Sequence, residues 1–434
     1  MRMYDLIAKK KIGGALNKEE IDFMIKEYMS GEVKDYQMSA MLMAICFQGM
    51  NEEETALLTM AMRDSGDTLD LSGIEGIKVD KHSTGGVGDK ISLVLTPMVA
   101  ALGIPVAKMS GRGLGFTGGT VDKLECFPGF HTDMPEEEFI KNVNEIKMAI
   151  AGQTKNLAPA DKKIYALRDV TATVDQLSLI AASIMSKKLA AGSDKIVLDV
   201  KTGSGAFMKE EKDAFALAEE MVKIGKNAGK ETIAVVTDMD QPLGTAVGNA
   251  IEVKEAILSL CGAGPKDLME VVYALGEAMV VLGGKAASKE EAHKQLEQTI
   301  EKGTALDKLA QFVEAQGGDK KYVYQPGLLA TATHMIEVKS GEEGYVSGIH
   351  AEEIGRAALS LGGGRVTKES VIDPAVGVML FKKKGDFVQK GETLSVLHAN
   401  DLEKAKEAYA IVIRAYQLQQ EAPKQTEMIK GVVK

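Results

Sequence analysis

Apolar residues recur at helical spacing near the start of the chain, as in Glu20-Ile-Asp-Phe-Met-Ile-Lys-Glu-Tyr28 and Asp35-Tyr-Gln-Met-Ser-Ala-Met-Leu-Met-Ala-Ile-Cys-Phe47. Residues 1–66 are therefore expected to form a small all-helical unit, with Gly31 and Gly49 punctuating two of its helices. The helix from Asp35 is apolar on nearly every side after its first turn, Gln37 and Ser39 being the main polar interruptions. Such a helix is buried inside its own domain or against a second copy, and a homodimer is expected.

From about residue 78 the period changes. Strand-like runs at Gly103–Met109, Lys195–Val200 and Thr232–Thr237 alternate with helix-like runs at Pro135–Ala151 and Lys209–Ile224. This pattern predicts an α/β domain around a mainly parallel sheet. Helical material from Leu157 to Ala191 interrupts it, so the chain is expected to leave the α/β domain, revisit the helical one and return, enclosing a cleft. After Gly317-Gly-Asp319, short alternating strands at Glu343–Gly348, Val376–Phe381 and Glu392–Leu397 predict a C-terminal α+β domain. The turn Lys384-Gly-Asp-Phe-Val-Gln-Lys-Gly391 resembles the β-hammerhead of lipoyl and biotinyl carriers, but Lys383 and Lys384 lie outside the hairpin tip used there, so a structural sandwich is expected. The expected division is 1–66 with 157–192 (helical), 67–156 with 193–330 (α/β), and 331–434 (C-terminal α+β).

The composition narrows the class. A chain of 434 residues, 45% hydrophobic and 26% charged, buries a large core. Its net charge of −10, with both signs interspersed, argues against nucleic-acid or anionic-membrane partners while allowing a local basic pocket. Cys46, Cys126 and Cys261 are isolated, which disfavours a disulfide framework or thiolate zinc site and suits the cytoplasm. No apolar run approaches a bilayer span, and Lys9-Lys10-Lys11 interrupts the first segment, so neither membrane insertion nor export is expected. The 23 methionines read as core filler.

Candidate chemistry gathers in two glycine-punctuated polar segments, Val79–Lys90 and Ala107–Glu125, each following an apolar stretch. Loops at strand ends bring backbone N–H groups, hydroxyls and lysines to bear on an anion. Lys81 and Ser83 share strand parity while His82 points elsewhere, and Lys108 and Ser110 repeat the device. Ser92 falls in a first helical turn beyond Gly85-Gly-Val-Gly88, and Thr120 follows Gly118-Gly119. Together these two cationic and four hydroxylic groups suit inorganic phosphate or a phosphomonoester. Neither segment is a Walker loop or a GxGxxG fingerprint. In the helical insertion, Ser183 and Lys187 are four apart on one face of an apolar helix, near Tyr165 and Arg168. A lysine there needs a partner or a route to solvent; a snorkelling lysine and a surface arginine are the plainer alternative.

With Asp199-Val-Lys-Thr-Gly-Ser-Gly-Ala-Phe-Met208, the two segments resemble the thymidine and pyrimidine-nucleoside phosphorylase family, and Ser110–Glu125 matches its signature. The opening Met-Arg-Met-Tyr-Asp-Leu-Ile-Ala-Lys-Lys looks like its bacterial pyrimidine-nucleoside branch. The resemblance implies a homodimer associated through helical domains and reversible phosphorolysis of uridine, thymidine or deoxyuridine to free base and pentose 1-phosphate. By it, Lys81, Ser83, Ser92, Lys108, Ser110 and Thr120 bind the phosphate co-substrate, and His82, Arg168, Ser183 and Lys187 hold the base. It also implies a structural monovalent cation, K+ by expectation, at the carbonyls of Gly88, Leu243 and Ala246, the Lys90 carbonyl and the Glu255 carboxylate, and no organic cofactor. Arg168 and Lys187 would stabilise charge developing on the leaving base, His82 would donate near its O2, and domain closure would bring the reactants together.

Two departures stand out: Phe116 where the family often has His, and Gln176-Leu-Ser178 where it has Ser-Ile-Pro before the substrate helix. They bear on base and sugar preference. The rival readings are a thymidine phosphorylase restricted to deoxynucleosides, a magnesium-dependent phosphoribosyltransferase such as the anthranilate enzymes, and a catalytically silent nucleoside- or phosphate-binding protein.

Overall fold

A computed structural model of the chain describes residues 1–113, 115–116, 118–152, 156–367 and 370–434. Leu114 and Thr117 of the second glycine segment therefore lie outside the described residues. Four helices open the chain, Met3–Lys11, Lys18–Ser30, Asp35–Gln48 and Glu52–Arg63. The second and fourth begin with reciprocal caps: Asn17 accepts from Glu20 N at 3.0 Å and Asn51 from Glu54 N at 2.8 Å, while each glutamate accepts from its partner's backbone N–H. Each such cap contributes about 1 kcal/mol. Glu54 also accepts from buried Lys10 at 2.7 Å, tying the first helix to the fourth.

The later helices Pro159–Arg168 and Leu177–Ala190 return to this bundle, and Ala160, Ile164, Leu179 and Ala182 share one apolar core with Met24, Met41 and Leu58. The helix Asp35–Gln48 buries Met38, Met41, Leu42 and Ile45 but leaves Tyr36, Met43 and Phe47 exposed. Its apolar character on both faces thus leaves one face uncovered in the single chain.

The α/β part is built on β1 (Val79–Ser83), β2 (Val106–Ser110), β3 (Met148–Gly152), β4 (Lys195–Thr202) and β5 (Glu231–Asp238). Strands β1, β4 and β5 pair in parallel in that order, and β2 pairs in parallel with β3. The mixed α and β fold with a mostly parallel central sheet is as the sequence pattern predicts. One expectation is corrected. The run Pro135–Ala151 is a helix only over Glu136–Ile146; Lys147 adopts φ 65° and ends it, and β3 follows from Met148. Four residues of apolar sequence, Met148 to Ala151, could not be told from a last helical turn by period alone.

The C-terminal part carries strands His334–Lys339, Gly344–Ile349, Gly377–Leu380 and Thr393–Ala399 with helices Ala351–Ala358 and Leu402–Ala415. It is joined to the α/β part at sheet level twice. Ala246–Gly248 pairs antiparallel with Gly377–Leu380, and the final strand Ile429–Val433 pairs antiparallel with β5. Residues 429–433 thus complete the central sheet, although they fall in the span expected to be C-terminal domain. Lys383 bonds Asp267 at 3.0 Å and Lys384 bonds Thr426 at 2.7 Å, so both turn lysines make structural contacts.

Candidate active site

A cavity of about 400 Å³ lies between the strand ends of the α/β part and the two returning helices. Lys81, His82 and Ser83 reach it from β1, Ser92 from the helix Ile91–Ala101, Lys108 and Ser110 from β2, and Thr120 from the helix Thr120–Leu124. Arg168, Ser183 and Lys187 line it from the helical side, beside Tyr165. The structure therefore brings together all ten side chains the sequence assigns to phosphate and base.

Close packing explains the glycines. A Cβ on Gly86 would fall 2.8 Å from Lys201 Cδ, and one on Gly119 would fall 2.0 Å from Gly113 N. Gly85 sits at φ +98° and donates to Ser83 Oγ at 3.1 Å. The second loop is clamped by buried Asp122, which accepts from Gly113 N at 2.7 Å and pairs with Arg365 of the C-terminal part at 2.7 Å. Phe116 turns away from the cavity and packs on the C-terminal core beside Gly355.

Beneath the cavity lies a buried charge network that sequence reasoning missed. Lys81 sits 3.3 Å from Asp199 and 3.9 Å from Asp89, and Lys201 is 2.9 Å from Asp199. Asp80 takes Lys188 at 2.9 Å and Lys108 at 3.5 Å. Four ammonium groups thus face three carboxylates, leaving one excess positive charge under a cavity lined with hydroxyls. The signal was in the sequence: Asp199 and Lys201 share parity inside an apolar strand, where unpaired charge is not tolerated.

Burial and charge set the ionisation states. Burial pushes Asp89 up, but Lys81, Lys201 and Ser83 outweigh it and hold the carboxyl well below its usual range. Burial lowers Lys108 to about 8, with Lys188 and Lys81 adding to the fall and Asp80 opposing it. His82 is lowered well below its ordinary value, first by burial and then by the ammonium groups of Lys188, Lys108, Lys187 and Lys81. Its imidazole is neutral at pH 7, suited to donating a hydrogen bond rather than carrying a labile proton.

On the helical side, Arg168 is buried, not at the surface. Its guanidinium donates to the carbonyls of Thr173 at 3.0 Å, Leu179 at 3.1 Å and Val174 at 2.7 Å. These bonds fix the turn between the returning helices and leave two of its N–H donors outside them. Lys187 donates to Asp161 at 2.6 Å and to Ser183 at 3.0 Å. Asp161, buried on the neighbouring helix, was not found from sequence; an acidic residue three before Ile164, on the face that packs inward, was the available signal. Gln176 caps the substrate-side helix by accepting from Leu179 N at 2.7 Å, so the helix start is fixed without a proline.

The residues expected to hold a monovalent cation also converge, but they do not fit one. The side chain of Lys90 itself enters the set: its Nζ donates to Leu243 O at 2.9 Å, Ala246 O at 2.9 Å and Glu255 Oε2 at 2.5 Å. The Gly88 carbonyl accepts from Lys90 N at 2.9 Å. The expected role for Lys90, a ligand through its carbonyl alone, is thus corrected: its ammonium stands where that set would place an ion. Among the described residues no group of three or more His, Cys, Asp or Glu side chains is arranged to hold a metal ion.

Comparison with known proteins places this geometry. Residues 75–306 match the α/β domain and residues 4–66 the helical bundle domain of a glycosyl transferase family, and residues 345–419 match the pyrimidine nucleoside phosphorylase C-terminal domain. The chain is similar to the pyrimidine-nucleoside phosphorylases of Geobacillus stearothermophilus, 61% identical over 92% of each chain, and Bacillus subtilis strain 168, 60% identical over 92% of each. Among solved structures, anthranilate phosphoribosyltransferase from Thermus thermophilus overlays with a TM-score of 0.58 at 20% identity, covering 71% of this chain and 98% of that one. That likeness speaks to fold. With a family model over more than half its length and relatives of this identity, the chain belongs to the pyrimidine-nucleoside phosphorylases of the glycosyl transferase family.

Proposed function

We propose that the cavity performs phosphorolysis of uridine, thymidine and deoxyuridine, releasing the free pyrimidine and a pentose 1-phosphate. The single observation that carries this reading is one cavity with an excess of buried positive charge and hydroxyls on one wall and Arg168, Ser183 and Lys187 on the other. The assignment of substrates draws on the relatives' name; nothing in the cavity favours a deoxynucleoside-restricted or silent protein.

In this reading Lys81, Ser83, Ser92, Lys108, Ser110 and Thr120 hold inorganic phosphate, and the backbone N–H of Ser92 adds to them, since Ile91 N–H is taken by Asp89 Oδ1 at 3.3 Å and Leu93 N–H by Lys90 O at 2.9 Å. Phosphate attacks C1′ as the bond to N1 of the base breaks, and the sugar passes through an oxocarbenium-like state. Electron density moves onto the departing ring. Lys187, oriented by Asp161, and the remaining donors of Arg168 meet that charge, while neutral His82 donates to the base oxygen. Phosphate and base bound to different parts of the chain make closure of the cleft a productive step.

The same reading takes 1–66 with 157–192 as the base-binding and dimerisation domain, 67–156 with 193–330 as the phosphate-binding domain, and 331–434 as a third domain whose last strand, Ile429–Val433, joins the sheet of the second. Support comes from the shared core of the bundle and returning helices, and from the uncovered Tyr4, Ile12, Tyr36 and Phe47 on the bundle surface, an apolar face suited to a second copy. Among the described residues no helix is long and apolar enough to cross a membrane.

Calorimetric titration separates the two half-sites. Ser110→Ala and Thr120→Ala should weaken phosphate while leaving uracil affinity intact, and Ser183→Ala and Lys187→Ala should do the reverse. The opposite pattern would overturn the assignment.

A further inference from the structure

We propose that the ammonium of Lys90 is the built-in cation of the cage formed by Leu243 O, Ala246 O and the Glu255 carboxylate, so that this chain needs no monovalent ion. Three observations carry it. First, the three N–H donors of the ammonium are matched one to one by the three oxygens, at 2.9, 2.9 and 2.5 Å. Second, the local charge is already balanced. Lys90 pairs with Glu255, Lys123 with Glu252 at 3.0 Å, and Lys383 with Asp267 at 3.0 Å, so an added ion would leave a buried positive charge unmatched. Third, the space is filled: a Cβ on Gly244, which sits at φ +70°, would lie 2.4 Å from Glu255 Oε2 and 2.9 Å from Lys90 Nζ.

The tether also explains what the cage does. Lys90 directly follows Asp89, whose carboxylate lies 3.9 Å from Lys81 under the cavity, and directly precedes the helix from Ile91 that carries Ser92. Its ammonium pins this junction to the 243–246 segment. Lys383, from the C-terminal part, donates to Gly244 O at 2.7 Å and also to Pro242 O in the same segment. Two lysines from different parts of the chain thus neutralise successive carbonyls of one loop. A diffusible ion would hold the loop only while bound; a covalently attached ammonium holds it permanently.

The test compares the wild-type protein, dialysed free of alkali metal, in potassium chloride and in choline chloride at equal ionic strength. Expected are the same Tm, the same rate of uracil release from uridine with phosphate, and no stoichiometric potassium by atomic emission. A Tm that rises saturably with potassium by more than about 2 °C, or about one potassium retained per chain, would overturn the proposal. Lys90→Ala removes the tether and leaves the cage. It should melt lower in choline and recover in potassium; equal melting in both salts would show that the oxygens do not form a cation cage and would refute the assignment. The wild-type arm decides the question even where the variant fails to fold.

Discussion

Replacing Lys108 by Met should leave the protein as stable or more stable while removing its response to phosphate. Lys108 is buried, and its ammonium is lowered from 10.5 to about 8, chiefly by burial. A lysine whose folded value lies below its unfolded one binds fewer protons when folded across the interval between them. Stability therefore rises as pH climbs from about 8 towards 10.5, and below about 8 the full penalty is present. That penalty corresponds to about 3 kcal/mol at pH 7. Met keeps most of the volume, and Asp80 retains Lys188 on Oδ2 at 2.9 Å, while its Oδ1 loses a neighbour that stood at 3.5 Å. The penalty is already net of the pull of Asp80; the gain is offset by the buried Lys81 carbonyl, which loses its Lys108 donor, leaving an expected net stabilisation of about 1–2 kcal/mol. Scanning calorimetry in phosphate-free buffer should thus show a Tm equal to or above wild type. Adding phosphate should raise the wild-type Tm and leave the variant unmoved, and kcat/KM should fall by roughly 10²–10³. A variant destabilised by more than about 2 kcal/mol that still shows the wild-type phosphate shift would refute this account of the charge network.

The other side chains have separable signatures. Arg168→Ala should cost both stability and turnover, because three buried carbonyls lose their donor; a Tm drop of several degrees, about 3 kcal/mol or more, is expected, and an unchanged Tm would contradict the anchoring role. Asp161→Asn should lower kcat/KM for nucleoside about tenfold through misplacement of Lys187 while phosphate binding by calorimetry stays intact; equal loss of both would place Asp161 elsewhere in the mechanism. Gly244→Ala should destabilise the protein by several kcal/mol, read as a lower Tm, since its Cβ has no room between Glu255 and Lys90.

The fold and the phosphate-side residues were legible because period and motif report local physics, whereas the base-side role of His82, Arg168, Ser183 and Lys187 came from resemblance. The bundle's spacing, the strand runs at Lys195 and Thr232, and like-parity Lys-Ser pairs each follow from short stretches of chain. What escaped was set by distant partners. The apolar run Met148–Ala151 is a strand because β2 is waiting beside it, and Ile429–Val433 pairs with β5 residues, from Thr237 to Ala234, that lie far back in the sequence. Asp161 matters because a neighbouring helix brings Lys187 within 2.6 Å, and the Lys90 side chain acquires its role from carbonyls more than 150 positions away. For the last of these, resemblance supplied a ligand set in which Lys90 enters by its carbonyl, whereas the bonds of its ammonium to Leu243 O, Ala246 O and Glu255 come from the fold alone.

The most direct test of phosphorolysis is release of free base from uridine, thymidine and deoxyuridine, followed by ultraviolet absorbance with phosphate present and then omitted, with the sugar product identified. Release of base from all three, dependent on phosphate and matched by pentose 1-phosphate, is the predicted result. Release that proceeds without phosphate, release confined to the deoxynucleosides, or no release at all would contradict it.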